Sequence, residues 1–176
     1  MGLPTYVQQG LARLRQGPVE VRFDPDGTPV NVICNDGVDL SVGRGQEEAV
    51  VDVIGVYDLY TSGDSVTFSL NLPEWSHNAL SLMFMDCEVG TAYVGIGQTA
   101  GTSLRASAQK VEIRPYQGRA ADTTLLTLWV VVPSGDGGLG MSSGEPWNLT
   151  QEFRALPDAS KQDGQMIGQL AMPVRS

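Results

Sequence analysis

The sequence predicts a mainly β protein with a single amphipathic helix, and three observations carry that prediction. Gly 21 and Pro 10 in 176 residues are both above average usage, which implies many turns and therefore many short strands, not a helical bundle. Val66, Phe68, Leu70 and Leu72 alternate with Thr67, Ser69 and Asn71, the period of a strand with one apolar face. The period then lengthens. Trp75, Ala79, Leu82 and Met83 fall at i, i+4, i+7 and i+8, one apolar stripe suited to packing a helix on a sheet.

Taken in order, residues 1–18 mix Gln, Gly and Arg and read as an arm or a short helix. VEVRF (19–23) is a strand, and Asp24-Pro25-Asp26-Gly27 suits a type I turn, with Pro second and Gly fourth. TPVNVIC (28–34) pairs back as a first hairpin, Asn35-Asp36-Gly37 turns again, and VDLSV (38–42) is a short strand. GRGQEE (43–48) is polar and reads as an exposed flexible loop. The next strand runs from Ala49 to about Tyr60, and Thr61-Ser62-Gly63-Asp64 turns it into Ser65–Leu72. The helix is expected over about residues 73–86, with a capping-box-like start from Asn71 to Glu74 and Pro73 in its first turn.

Residues 88–109 form a long, nearly uncharged loop, of the kind that is often functional. KVEIRPY (110–116) and TLLTLWVVV (124–132) are strands, the second of them central. Residues 133–146 read as a flexible connection, WNLTQEFRAL (147–156) as the return strand and GQMIGQLAM (164–172) as a final edge strand. With no repeat and no linker, residues 1–176 are expected to be one domain, long enough for a real core.

Lys+Arg 11 against Asp+Glu 20 gives a net charge of −9, a field that repels phosphate and argues against a grip on nucleic acid. Such a protein can still guide DNA, because a repulsive wall does not trap it. Cys34 and Cys87 match no C-x-x-C spacing and are expected to be free thiols. The first residues lack an apolar signal-peptide core, and Tyr6 breaks the myristoylation pattern. The longest apolar run, LLTLWVVV (125–132), is too short to span a bilayer. The expectation is a soluble cytosolic chain without a membrane partner.

Three motifs match by spelling and fail on context. Gly135-Asp136-Gly137-Gly138-Leu139-Gly140 spells a dinucleotide fingerprint, but no helix follows to hold a pyrophosphate. Gly140-Met141-Ser142-Ser143-Gly144 spells a nucleophile elbow, yet the one histidine, His77, precedes it inside the predicted helix. Asn148-Leu149-Thr150 spells a glycosylation site without a signal peptide. Glu47-Glu48 reads as loop charge and Asp24 with Asp26 as a turn, not as an acid–base pair or a calcium site. No catalytic residue, metal ligand or cofactor is expected, which points away from an enzyme and toward a self-assembling β-structure.

The loop GRGQEE before VVDVIGVYDLY, the alternating SVTFSLNL and the helix PEWSHNALSLMF together resemble the core of phage tail tube proteins, the major tail proteins of long-tailed phages. WNLTQEFRALPD and the last short strand carrying Ile167 and Leu170 are similar to late strands of the same family, so the likeness covers about residues 30–170. The resemblance implies an antiparallel β-sandwich or barrel with one flanking helix. It also implies hexameric rings stacked into a hollow tube that conducts viral DNA, an architecture shared with the type VI secretion tube protein. The partners it implies are further copies of the chain, a tape measure protein in the lumen, tail terminator and distal tail proteins at the ends, and DNA in transit. The place it implies is the virion tail, after synthesis in the bacterial host cytoplasm. Lumen-facing candidates are Asp52, Asp58, Thr67, Ser69 and Glu152; inter-subunit candidates are Arg44, Gln46, Glu47, Glu48 and Tyr93, with the N-terminal arm available for contacts between rings. Another virion piece, a tail terminator or head–tail connector, and a β-sandwich binding module are the alternatives.

Overall fold

The structure, a computed structural model, describes residues 18–34, 37–51, 55–72, 76–85, 87–97, 99–116, 125–141, 143 and 148–171. Eight strands form one antiparallel sheet: β1 (Val19–Phe23), β2 (Val30–Cys34), β3 (Asp39–Val51), β4 (Gly55–Leu72), β5 (Gln109–Pro115), β6 (Leu126–Gly140), β7 (Asn148–Leu156) and β8 (Gly168–Leu170). The order across the sheet is β2-β1-β5-β6-β7-β4-β3. β8 lies beside the first residues of β6, Leu126↔Leu170 to Leu128↔Gly168. One helix, α1 (His77–Met83), and a 3₁₀ turn, Leu104–Ser107, complete the regular structure among the described residues.

The expected mainly β fold with one flanking helix is what forms. Its two layers are halves of one continuous sheet that rolls over on itself. Strands β5 and β6 separate β1 from β7, so in a flat sheet the two would stand roughly 14 Å apart. Instead the rings of Phe23 on β1 and Phe153 on β7 have centroids 5.2 Å apart. Phe68 on β4 stacks on the other side of Phe153, also at 5.2 Å. These rings, with Val21, Leu70, Val111, Leu128, Val131 and Leu149, make a core in which each is buried. The alternation read on 66–72 holds: Val66, Phe68, Leu70 and Leu72 are buried, Ser69 and Asn71 exposed, and Thr67 half-buried.

The pairing of β3 and β4 corrects the expected hairpin. β3 runs unbroken through 43–48, which is strand and not loop, and pairs with β4 from Asp39↔Ser69 to Val51↔Gly55. The chain therefore reverses between Val51 and Gly55, not at 61–64. The glycines explain the difference. Gly45 pairs with Gly63 and Gln46 with Thr61, so Ser62 is the extra residue of a β-bulge. Gly63 takes φ +123° there, which a side-chain-bearing residue rarely adopts. Turn chemistry was present, but it bends a strand instead of ending one.

The expected connection at 133–146 is likewise strand as far as Gly140, whose partner is Asn148. A register shift between Ser134 and Gly138 absorbs the glycine-rich residues. A Cβ at Gly137 would run into Met83 Cε and Gln151 Oε1, the ends of two flexible side chains that would have to turn aside. The 88–109 segment is largely irregular as expected, with an isolated Val89–Val94 bridge and the 3₁₀ turn, although Gln109 already belongs to β5.

The helix is shorter than the predicted 73–86. Asn71 and Leu72 still pair with Thr150 and Leu149 in the sheet, so strand pairing displaces the capping box; residues 73–75 and Asp86 lie outside the described residues. Ser76 is the N-cap, its hydroxyl accepting from the Ala79 amide at 3.2 Å. Ala79, Leu82 and Met83 are buried in the core, as the stripe predicts. Replacing Ser76 with Ala should lower the unfolding free energy by about 1 kcal/mol. In urea denaturation the midpoint should fall with an unchanged slope; an unaltered midpoint would show the cap to be dispensable.

Candidate assembly surface

Only residues Val66–Leu72 of β4 pair with β7. Beyond them, Gly43–Val51 and Gly55–Ser65 have only each other as strand partners among the described residues. They form a two-stranded ribbon that projects by about 30 Å at the usual rise of a strand. Arg44, Gln46, Glu47 and Glu48 all lie on it and are exposed. These four inter-subunit candidates are thus brought together, on a strand and not in a loop. The fifth, Tyr93, belongs to the separate 87–97 segment, where it is 54% exposed and its hydroxyl donates to Glu88 at 2.9 Å.

Of the lumen-facing candidates, Ser69 and Glu152 are direct partners, in one row with Asp39 and Ser134, and Thr67 pairs with Arg154 on the same outward face. The Ser134 hydroxyl donates to Glu152 at 3.4 Å. Asp58 is exposed on the ribbon opposite Ala49, on the same strand as Thr67 and Ser69 and not on a neighbouring one. Asp52 lies outside the described residues. Among described residues the ribbon carries Glu47, Glu48, Asp58 and Asp64 against Arg44 alone, so its field is acidic.

At the root of the ribbon the apolar inner face runs out to an open edge. The row Val131–Ala155–Val66–Val42 passes from buried to 57% exposed at Val42, and Leu40 is 39% exposed one pair along. A second row, Val21–Ile113–Leu126–Leu170, ends the same way, with Leu170 72% exposed on β8. Between these two edges lies a groove of about 800 Å³ floored by Val66, Leu126 and Leu128 and rimmed by Asp64 and Asp163. Sequence reading missed this surface. The signal was present in Leu40 and Val42, whose alternation marks an apolar face, but not in what leaves that face uncovered.

One wall of the groove is the chain from Pro157 to Leu170, which is fastened at several points. The Trp129 indole N–H donates to the Gln165 carbonyl at 2.8 Å, Lys161 Nζ sits 4.3 Å over the Trp129 ring, and Arg105 donates to the Pro157 carbonyl at 2.9 Å. Bonds from Ser160 to Asp158 hold that carboxyl below its ordinary range, with the charges of Lys161 and Arg105 adding to the effect. Elsewhere on the outer face Arg114 grips Glu20 through two bonds of 2.8 and 2.9 Å. For Lys110, burial opposes its charge but the bonds and charges of Asp26 and Glu112 outweigh it, so its pKa is raised. These are framework contacts.

His77 is exposed, and its Nε2–H donates to the Gly90 carbonyl at 2.8 Å, tying α1 to the following segment. Cys34 is buried, Cys87 half-buried, and neither forms a disulfide. Among the described residues no three His, Cys, Asp or Glu side chains are grouped to hold a metal, and no helix is long and apolar enough to cross a membrane.

No protein-family model matches the chain, and no curated protein matches it. Among solved structures, it is similar to a chain of the cryo-EM structure of the anti-feeding prophage baseplate, six-fold symmetrised, at 16% identity and a TM-score of 0.36, over 88% of this chain and 93% of that one. A likeness this distant carries no weight for function.

Proposed function

We propose that this chain is a structural subunit of a phage tail tube, in which six copies form a ring and rings stack into a channel for DNA. The observation that supports this best is the projecting ribbon. An isolated two-stranded ribbon is marginal in water, and this one is joined to an exposed apolar edge formed by Leu40 and Val42. Unpaired strand edges of this kind favour pairing with another copy, and closing a ring covers them. Stacking of rings is an open interface, which propagates as a filament. The net charge of −9 favours a wall along which a polyanion slides without being held. In this reading the protein has no catalytic step and no cofactor. It works in the virion tail after synthesis in the host cytoplasm, with a tape measure protein inside and terminator and distal proteins at the tube ends.

Negative-stain microscopy of the purified chain tests the reading. Rings or tubes with a central channel are expected, and a strict monomer at every concentration and salt tried would overturn it. Replacing residues 46–60 with Asn-Gly, which closes a tight hairpin, should preserve the far-ultraviolet circular dichroism of the sheet and abolish rings and tubes. Unimpaired assembly of that variant would remove the ribbon from the interface.

A further inference from the structure

The two most exposed large apolar side chains among the described residues are Ile96, at 77%, and Leu170, at 72%. They stand toward opposite ends of β6. Leu170 lies on β8 opposite Leu126, where β6 begins. Ile96 is tied to the other end through a short chain of contacts. The Gly95 amide, next to it, donates to the Glu88 carbonyl at 2.8 Å, and the Cys87 amide donates to the Phe84 carbonyl at 2.9 Å. Phe84, the C-cap of α1, lines a small cavity with Met83, Gly137 and Leu139. From Leu126 to Gly137 the bulged strand covers about 30 Å.

Both ends share a second property. Residues 89–104 hold no Asp, Glu, Lys or Arg, and neither do residues 164–171, in a chain of net charge −9. Copies with that charge repel wherever their acidic surfaces meet. An uncharged apolar end approaches another copy without that repulsion, and without the cost of stripping water from a charge. Val89 and Tyr93, on the same short segment as Ile96, are exposed as well. Exposed apolar groups gathered at such an end mark a contact surface. The two ends differ, so a contact between them is heterologous and repeats without closing.

We propose that the Ile96 end of one copy docks on the Leu170 end of a copy in the next ring. This contact rests on the ring-and-tube reading, in which the ribbon and the β3 edge, with Leu40 and Val42, join copies within a ring. The two kinds of contact then use different surfaces of the chain. Every ring faces the same way along the tube, because each stacking contact pairs unlike ends.

The test compares Ile96→Asp and Leu170→Asp with the parent chain by negative-stain microscopy. Each variant should keep the parent's far-ultraviolet circular dichroism and form rings, but no tubes. Tubes from either variant at the parent's abundance would overturn the contact and leave the ring reading standing. Loss of rings together with tubes would place these ends inside the ring and overturn the assignment. A parent that forms neither rings nor tubes would overturn both readings. Independently, differently tagged Ile96→Cys and Leu170→Cys chains, each in a Cys87→Ser background, are mixed under mild oxidation. The mixed disulfide should form at least about tenfold faster than either like pair, as docking raises the effective concentration. Like pairs forming as fast as the mixed one would overturn the head-to-tail contact.

Discussion

Replacing Phe153 with Ala is expected to cost about 4 kcal/mol of stability, the middle of the range for buried aromatic truncation. Phe153 is fully buried and stands between Phe68, whose ring stacks on it at an interplanar angle of 17°, and Phe23, tilted at 52°. Its removal opens a cavity where side chains of β1, β4 and β7 meet across the rolled sheet, and rings on both sides lose a neighbour. Because domains of this size have roughly 5–15 kcal/mol in total, the variant should unfold at a much lower guanidinium concentration. Phe153→Leu, which keeps most of the volume, should recover more than half of the loss. A loss below about 1 kcal/mol for the alanine variant would mean that the three-ring stack does not hold the layers together.

Gly168→Ala should be the most damaging change that adds a single carbon. A Cβ at Gly168 would overlap the Thr127 carbonyl oxygen and lie 3.3 Å from Leu128 Cα. Both are backbone atoms of β6, so no side chain can rotate out of the way. The strand pairing of β8 must open, at a cost of about 2–3 kcal/mol, typical of forced overpacking. The Trp129 indole should lose its bond to Gln165 and its contact with Lys161, and its emission should shift to the red. Gln169→Ala, an exposed neighbour on the same strand, should stay within about 0.5 kcal/mol of the parent. A fully native emission spectrum for Gly168→Ala would show that β8 is held from elsewhere.

The sequence makes the strands legible where one face is buried and the other is wet, because burial itself writes the alternation. Residues 66–72 and 148–156 are of this kind, and both emerge with near-perfect alternation of buried and exposed positions. It misleads where glycine has two uses. Gly43, Gly45 and Gly63 carry the composition of turns, but the pairing across β3 and β4 uses them in a bulged ribbon, a choice made by the partner strand and not by local preference. The helix start fails for a related reason: the local capping signal at Asn71 competes with a full strand pairing opposite Thr150, and the longer-range contact wins. Of the assembly surface, the charged ribbon residues are legible by exposure alone. The groove is not, because its two edges, Val42 and Leu170, are separated by most of the chain and meet only when the sheet curls.

The pairing of β1 with β5 joins residues 88 to 96 positions apart, and that of β4 with β7 residues 77 to 89 apart. During synthesis the β1–β2 and β3–β4 hairpins can close as soon as they leave the ribosome, each around a short loop. The core cannot. Phe23 and Phe68 have no central ring to pack against until Phe153 has been made, so the nascent chain carries two finished hairpins with bare apolar faces for nearly half of its elongation. Loop-closure entropy of that size also places unassisted refolding among the slow β topologies, on the order of milliseconds to seconds. Shielding those early hairpins while the second half of the chain is added is therefore expected to raise the yield of folded protein.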